Sequence, residues 1–373
     1  MSLFLMPFSP YKISFLLTLV SGTLLSISSS SWFTAWIGLE LNLMSFIPLI
    51  SSKKNQLPTE ASLKYFLIQA LGSAIIILSS TLTLLYPQLA LLLVSLALLL
   101  KLGAAPFHSW FPQVMEGLSW LQAIILMTIQ KLAPMFLISY LSMSFYTHTP
   151  IFLAAVFSAT VGALGGINQT SLRKILSYSS INHMSWMLIA MLINETSWMI
   201  YFFLYALITS SVALYFLSIQ SYFFFHLINS NTTPLTKMIS ILSLFSLGGM
   251  PPFSGFIPKW IMIQEMISAG FFFALLILLL SSLVTLYFYI RLSLASISIS
   301  YAQSKWSLTF FFHPTSIYSP LSSMMNLFGL LMPSALLIMW DFKFIKTNIL
   351  QSCQKKLNLL NLEPTNKKAF API

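Results

Sequence analysis

Cysteine is nearly absent from the 373-residue sequence, which has only Cys353, close to its C-terminal end. An iron–sulfur cluster typically needs four cysteine ligands, which this chain alone cannot supply. The five histidines lie far apart and show no paired spacing typical of a haem or a metal centre. The stretch GALGG at 162–166 is not a GxGxxG motif and does not follow a strand pattern. We therefore expect no cofactor, metal ion or nucleotide site in this chain.

Charge is also scarce: 7% of the residues are charged, against about 25% in an ordinary soluble domain. Hydrophobic residues make up 57% of the chain, and the mean hydropathy is +0.87. A soluble core could not hide this much apolar surface, so we predict an all-α polytopic membrane protein. The net charge of +11 fits loops that face an anionic membrane surface, and we expect no nucleic-acid partner.

Runs of about 18–22 apolar residues predict eleven transmembrane helices. The N-terminal stretch lacks the basic start and cleavage site of a secretory signal, so we expect the first apolar run to be retained as a helix. The predicted transmembrane domain covers residues 1–345, and a basic polar tail covers 346–373. The predicted helices lie near 13–30, 32–50, 61–84, 88–110, 120–141, 150–168, 175–193, 198–221, 238–258, 270–291 and 322–341.

Basic residues alternate with the predicted helices. Of the lysines and arginines that fall in loops, all up to Lys305 lie on the N-terminal side, whereas the opposite loops carry Glu195 and Glu265 and no lysine or arginine. This positive-inside pattern supports the first ten helices. The lysine-rich tail breaks the pattern, because after eleven helices it would emerge on the other side, so its side is left open. The basic residues concerned are Lys12, Lys53, Lys54, Lys64, Arg173, Lys174, Lys237, Arg291 and Lys305.

Two stretches interrupt their apolar runs with the same glycine and proline pattern: LKLGAAPFHSWFPQ from Leu100 and FSLGGMPPFSGFIPK from Phe245. Glycine and proline disrupt helices, so the fourth and ninth helices are predicted to be broken. Five helices separate the two breaks, so the second copy crosses the membrane in the opposite direction. This predicts two inverted five-helix repeats, at about 13–141 and 150–291, followed by one C-terminal helix. With one extra proline in the second stretch, the alignment pairs Gly103 with Gly248, Pro106 with Pro251 and Pro112 with Pro258.

Paired broken helices of this kind point to an ion site in a transporter, although glycine and proline are also common in membrane helices generally. Four ionisable residues lie inside or beside the predicted helices: Glu40, Lys101, Lys131 and Lys259. Lys101 lies about twelve residues, roughly 18 Å, into its helix, in a hydrocarbon core about 30 Å thick. A charge at that depth costs about 3 kcal/mol or more, so something must compensate for it or use it.

A chain of buried titratable groups with hydrating waters can pass protons. We therefore predict that Glu40 modulates Lys101, that Lys131 is the central carrier, and that Lys259 carries protons towards an exit or a neighbour. In the alternative, partners neutralise these charges and their role is purely structural. For Lys259 a further alternative is a stem that snorkels to the interface.

Other polar and aromatic residues have less specific interpretations. His183, in YSSINHMSW, falls in the middle of helix seven, at the position of the second repeat that we assign to Glu40 in the first. It is either a proton relay or a hydrogen-bonded packing histidine, and His108 beside the first break is similar. Glu116 is expected to be a solvated charge in a short loop. The stretches YFFLY and YFFFH are expected to face lipid or the interface.

Five motifs occur in order between about residues 32 and 290: WIGLELNLMSFIPL, LKLGAAPFHSWFPQVMEG, MTIQKLAPMFLISY, RKILSYSSINHMSWM and LSLGGMPPFSGFIPKW. As a set they resemble the animal type of the mitochondrial NADH dehydrogenase subunit 2 family. Members of that family are antiporter-like subunits in the membrane arm of respiratory complex I. Animal members lack three N-terminal helices, which agrees with the count of eleven. Many members read P-E-V after the first broken helix, where this sequence has Gln113, and the extension beyond about residue 345 is long for the family.

The resemblance implies a role in proton pumping driven by quinone reduction elsewhere in the complex. It implies that FMN, iron–sulfur clusters and ubiquinone belong to other subunits, and that Glu40, Lys101, Lys131 and Lys259 are the family's buried relay residues. The implied partners are other membrane-arm subunits, including a neighbouring antiporter-like subunit, and inner-membrane lipids such as cardiolipin. The implied location is the mitochondrial inner membrane, with the basic loops on the matrix side.

Two other functions fit the absence of long soluble loops and of redox ligands. The chain could belong to a multisubunit cation/proton antiporter, which shares the same repeat, or could be a purely structural membrane subunit. The Phe-, Met- and Ser-rich composition and the lack of a presequence favour synthesis inside a mitochondrion, and therefore the first function. Copurification with a large assembly that oxidises NADH would separate it from a lone antiporter.

Overall fold

The computed structural model describes residues 10–51, 55–83, 85–142, 144–229 and 234–298. Within these ranges the chain is helical, and the pairing of Ser171 with Phe223 is an isolated β-bridge. The predicted helix at 322–341 and the tail at 346–373 lie outside the described residues. The helices are α1 (Pro10–Ile27), α2 (Trp32–Ile50), α3 (Gln56–Leu82), α4 (Pro87–Leu102), α5 (Trp110–Gly117), α6 (Trp120–Met127), α7 (Ile129–Leu141), α8 (Phe145–Gly166), α9 (Leu172–Ile193), α10 (Glu195–Ile219), α11 (Phe224–Asn229), α12 (Pro234–Gly248), α13 (Phe256–Ala269) and α14 (Phe272–Ser298).

Ten membrane-crossing segments can be followed through the described ranges, one for each of the first ten predicted helices. Seven of them are long and apolar enough to cross a bilayer by length and composition, with α6 and α7 together making one. The α9 helix has 22 residues but carries many serines and other polar side chains. The remaining two crossings are the broken pairs α4–α5 and α12–α13. The short α11 helix lies in the connection after α10.

The fourth and ninth helices are broken, but their predicted ends at residues 110 and 258 are wrong. Each first half stops at a glycine with a left-handed backbone, Gly103 (φ 71°) and Gly249 (φ 75°). In both, the next amide closes the turn onto a carbonyl five residues earlier in the chain, as in a Schellman motif. The second halves then continue as α5 and α13 to Gly117 and Ala269. The apolar runs end a few residues after each break, so a window of apolar residues misses most of these continuations.

The two breaks also correct the alignment of the repeats. Gly248 is the last helical residue of α12, so the residue that matches Gly103 is Gly249 and not Gly248. With these two glycines paired, no extra proline is needed. Pro106, Phe107 and Pro112 then correspond to Pro252, Phe253 and Pro258, and Gln113 corresponds to Lys259.

The α1–α2 pair of the first repeat and the α8–α9 pair of the second repeat share a close contact between their helix backbones. A methyl group on Gly22 would come within 3.0 Å of the Asn42 amide nitrogen, and one on Gly162 within 2.7 Å of the Asn182 amide nitrogen. The glycines therefore let the helix backbones touch at the same point of each repeat. Both asparagines open the motif Asn-x-Met-Ser. In this register His183 corresponds to Leu43, so its predicted correspondence with Glu40 is wrong by one helical turn.

A set of hydrogen bonds ties the start of α9 to neighbouring segments on the basic side of the protein. Arg173 Nη1 donates to the Leu118 carbonyl (2.6 Å), between α5 and α6. The Leu172 amide donates to the Tyr222 carbonyl (3.0 Å), and the Phe224 amide donates to the Thr170 carbonyl (3.0 Å). The Arg173 bond connects the first repeat to the second, and the other two bonds hold the start of α9 within the second repeat.

The close contact of α1 with α2 predicts that Gly38→Ala destabilises the protein. A methyl group on Gly38 would lie 2.6 Å from the Ser26 amide nitrogen, which belongs to a rigid helix backbone. Overpacking of this kind costs about 1–3 kcal/mol. We expect a lower midpoint temperature for aggregation of the chain in solubilised native membranes.

The matched control is Gly248→Ala, because a methyl group there meets nothing closer than 3.5 Å. Equal midpoints for Gly38→Ala and the unmodified chain would contradict the close helix contact.

Candidate functional site

Lys101 lies at the C-terminal end of α4, two residues before the Gly103 break, and its side chain is 5% exposed. The break leaves backbone carbonyls without helical donors, and neighbouring side chains donate hydrogen bonds to them. Gln69 Nε2 donates to the Lys101 carbonyl (3.1 Å), and Trp110 Nε1 donates to the Leu100 carbonyl (3.1 Å). The carbonyl end of a helix carries partial negative charge, so it stabilises an ammonium group buried beside it.

Lys259 uses the second break differently. It lies in α13, after the break, and its Nζ reaches back to donate to the Gly248 carbonyl at the end of α12 (2.7 Å). Gly249 leaves room for this, because a methyl group there would lie 2.9 Å from Lys259 Nζ. The side chain is 6% exposed, so Lys259 does not snorkel to the interface.

Lys131 lies in α7, immediately after a discontinuity at Thr128 that separates α6 from α7. Pro134 follows in the same helix and leaves the Gln130 carbonyl, one turn earlier, without its helical amide donor. The Lys131 ammonium is 4.9 Å from the ring centroid of Phe111 and 5.4 Å from that of Tyr205. Both distances fall within the range of cation–π attraction.

Lys101 and Lys131 line one cavity, with a volume of about 20 Å³. A cavity of about 10–15 Å³ can already hold one water molecule. Polar side chains at four other positions also line it: Asn42 from α2, Tyr65 and Gln69 from α3, and Gln130 from α7. The two lysines therefore share a polar compartment inside an otherwise apolar bundle.

Glu40 is half-buried in α2, next to Leu39 of the cavity wall. Its carboxylate acts electrostatically on Lys101 and on the Tyr65 hydroxyl. It makes no ion pair with Lys101 within 4.0 Å; the salt bridge found among the described residues joins Lys174 and Glu116. Glu40 thus lies at one end of this series of ionisable groups, and it interacts with Lys101 electrostatically, without a direct ion pair.

His183 lies on the other side of Lys131. Its Nδ1 is 3.0 Å from the Tyr201 hydroxyl, and its ring centroid is 5.2 Å from that of Tyr205. The imidazole lies within electrostatic range of both Lys131 and Lys259. The Tyr205 ring therefore lies between Lys131 and His183.

Together these groups form one line inside the bundle, in which Glu40 is half-buried and the other groups are buried. Its order is Glu40, Lys101, Lys131, His183 and Lys259. His108 stands apart, beside the first break, with its Nδ1 3.2 Å from the Pro106 carbonyl. No group of three His, Cys, Asp or Glu residues in the described ranges is placed to hold a metal ion.

The predictions for Glu116 and for the stretch YFFLY are wrong. Glu116 is in α5 rather than a loop, and its carboxylate pairs with the Lys174 ammonium at 2.7 Å. Tyr201 and Tyr205, from the stretch YFFLY, are 1% and 2% exposed and face the buried line rather than lipid. Their spacing of four residues, which places both on one helix face, is the signal that could have identified them. Only Phe203 between them is exposed.

Comparisons with known proteins agree with this architecture. Residues 29–285 match the family model described as NADH:quinone oxidoreductase/Mrp antiporter, and the chain belongs to this family. It is similar to NADH-ubiquinone oxidoreductase chain 2 of Anopheles gambiae, at 44% identity over 87% of this chain and 97% of that protein. It is also similar to the chain 2 protein of Aedes aegypti, at 50% identity over 79% of this chain and 88% of that one.

Two solved structures share the fold. A chain of respiratory complex I from Thermus thermophilus matches with a TM-score of 0.75 and 25% identity, over 87% of this chain and 78% of that chain. A chain of the Mrp complex from Dietzia matches with a TM-score of 0.67 and 18% identity, over 74% of this chain and 59% of that chain. The second likeness concerns the fold alone.

The contact of Lys259 with the second break predicts that Gly249→Ala disturbs the site. The alanine would adopt a left-handed backbone, at a cost of about 1–2 kcal/mol. Its methyl group would also displace the ammonium from the Gly248 carbonyl. We expect a lower aggregation midpoint and a lengthened Lys259 Nζ to Gly248 oxygen distance in a high-resolution structure.

Gly248→Ala is again the control, because it alters the neighbouring residue in the same turn without either effect. If both variants kept the 2.7 Å contact, Gly249 would not be what makes room for Lys259.

Proposed function

We propose that this chain is a proton-translocating membrane subunit of NADH:ubiquinone oxidoreductase. The observation that carries the proposal is the line of buried ionisable side chains, three of them lysines, which runs from the first broken helix to the second. Lysines at this depth are costly and are found where ions or protons pass. The chain 2 relatives, matched over nearly their whole length, bear the name of this enzyme complex.

Within this function each buried group has a distinct role. Lys101 and Lys259 hold protons beside the carbonyl ends of α4 and α12, which stabilise their ammonium forms. Lys131 is the central carrier, because it lies between them with only aromatic faces and a polar cavity around its ammonium. His183 relays protons between Lys131 and Lys259.

Electrostatic repulsion supplies the coupling between neighbouring sites. A proton arriving at one lysine disfavours a second positive charge nearby, so it drives the next proton along the line. Glu40 acts in the opposite sense, since its negative charge favours a proton on Lys101. A change in charge at either end of the line is thereby passed to the other end without movement of whole helices.

Electron transfer takes place outside this chain in the proposal. FMN, iron–sulfur clusters and ubiquinone are bound by other subunits, which reduce the quinone and drive the pump. The partners are other membrane-arm subunits, including a neighbouring antiporter-like subunit, together with lipids such as cardiolipin. The membrane is the mitochondrial inner membrane, and the basic loops face the matrix.

A subunit of a multisubunit cation/proton antiporter is the alternative function, because the family model covers both classes. It is not favoured, since the relatives at 44–50% identity are all complex I subunits.

Replacing Lys131 tests the proposal directly. Lys131→Met, made in a genetically tractable homologue, gives a slightly shorter unbranched side chain that cannot carry a proton. We expect the complex to assemble and its NADH-driven proton pumping in sealed vesicles to fall about tenfold or more, as when a proton-transferring group is lost.

Lys64→Met is the matched control, because it removes an exposed lysine from α3 and leaves the line intact. Normal assembly together with normal pumping in Lys131→Met would overturn the proposal at its centre.

A further inference from the structure

We infer that Phe111 and Tyr205 are positioning residues for the central carrier, and that the faces of their two rings hold the Lys131 ammonium in place. This role rests on the proposed function, because Lys131 is the carrier proposed there. The contact between the ammonium and the rings can be tested separately, without any measurement of pumping.

The Lys131 ammonium lacks a conventional counter-charge. Its Nζ is buried and, in the described part of the chain, has neither a hydrogen-bond partner nor a carboxylate within 4.0 Å. Instead it lies over the ring of Phe111, 4.9 Å from the centroid, and over the ring of Tyr205, 5.4 Å from the centroid. The face of an aromatic ring carries partial negative charge, and it attracts a cation most strongly where water is excluded. The two faces therefore supply the negative potential that a carboxylate would otherwise provide.

The first helix break places the Phe111 ring. Gly103, the left-handed residue at the end of α4, leaves room for it, because a methyl group on Gly103 would lie 3.2 Å from Phe111 Cβ. The ring of Trp110 packs against that of Phe111, with centroids 5.6 Å apart and an angle of 80° between the planes. Trp110 is held in turn by its hydrogen bond to the Leu100 carbonyl (3.1 Å). The break therefore brings an aromatic residue of α5 against a lysine of α7.

The Tyr205 ring reaches Lys131 from α10, in the second repeat. Tyr205 is 2% exposed, and Phe202, three residues earlier on the same helix face, packs against it with centroids 6.3 Å apart. The Tyr205 hydroxyl makes no hydrogen bond to Lys131 or to His183. The contact with Lys131 thus uses the ring and not the hydroxyl, which distinguishes a positioning role from that of a proton carrier.

The second break provides an internal comparison for Phe111. In the alignment that pairs Gly103 with Gly249, the residue that corresponds to Phe111 is Ile257, which has no aromatic face. At that break the glycine leaves room for the Lys259 ammonium, which donates to a backbone carbonyl at 2.7 Å. The aromatic faces therefore surround the lysine that has no such partner, as expected if they replace it.

Substitutions that separate the ring from the hydroxyl test the role in the assembled complex. Phe111→Leu and Tyr205→Leu each remove one ring face, so we expect NADH-driven proton pumping to fall several-fold in both. Tyr205→Phe keeps the ring, so we expect it to pump almost as well as the unmodified protein. Phe111→Met fills the same space with an unbranched chain, and it replaces Phe111→Leu if that variant does not assemble.

A high-resolution structure of each variant tests the contact itself. In the unmodified protein and in Tyr205→Phe, we expect Lys131 Nζ within about 6 Å of both ring centroids, which is the range of cation–π attraction. In Phe111→Leu and Tyr205→Leu, we expect Nζ to move away from the substituted position.

Phe216→Leu is the matched control, because it removes a buried ring of α10 that packs against Trp120 and not against a lysine. The inference is overturned if Phe111→Leu and Tyr205→Leu pump normally or leave Nζ in place, or if Phe216→Leu loses as much pumping as they do. It is also overturned if Tyr205→Phe pumps as poorly as Tyr205→Leu, because the hydroxyl would then be the active group.

Failure of the proposed function would give a different result. In that case Lys131→Met would pump normally, while Nζ of the unmodified protein would still lie between the two rings.

Discussion

The desolvation of ammonium groups governs this structure. Three lysines are nearly fully buried in a helical bundle that spans a membrane, and lipid offers nothing to replace their hydration. The protein supplies replacements of three kinds: the carbonyl ends of broken helices, the faces of aromatic rings, and polar side chains around a small cavity. Each requires a local departure from regular helix, which is why the breaks and the buried charges occur together.

The two repeats stabilise a buried lysine beside a broken helix in different ways. In the first, Lys101 belongs to the half-helix whose carbonyl end stabilises it. In the second, Lys259 follows the break and folds back onto the corresponding end of α12. The position that Lys259 occupies is held by the exposed Gln113 in the first repeat. One ancestral pattern of glycine and proline thus supports two arrangements of charge, and Lys131 stands between them.

The buried lysines and the first ten helices could be predicted, because a charge inside a long apolar run is conspicuous at the level of residue type. The extent of the broken helices could not, since α5 and α13 continue past the end of each apolar window. The discontinuity at Thr128 has no glycine or proline beside it in the sequence to signal it. Tyr201 and Tyr205 were missed because tyrosine in an apolar helix is equally typical of a lipid interface. The shared Asn-x-Met-Ser motif was present in the sequence and would have set the register of His183 correctly.

In the proposed function Lys101 and Lys259 serve one continuous proton path. The most direct measurement compares NADH-driven proton pumping in Lys101→Met, in Lys259→Met and in the double variant, each in the assembled complex. If the lysines act in series, the double variant pumps as well as the worse of the two single variants. If the two defects multiply, the lysines belong to separate paths, and the single line described here is contradicted.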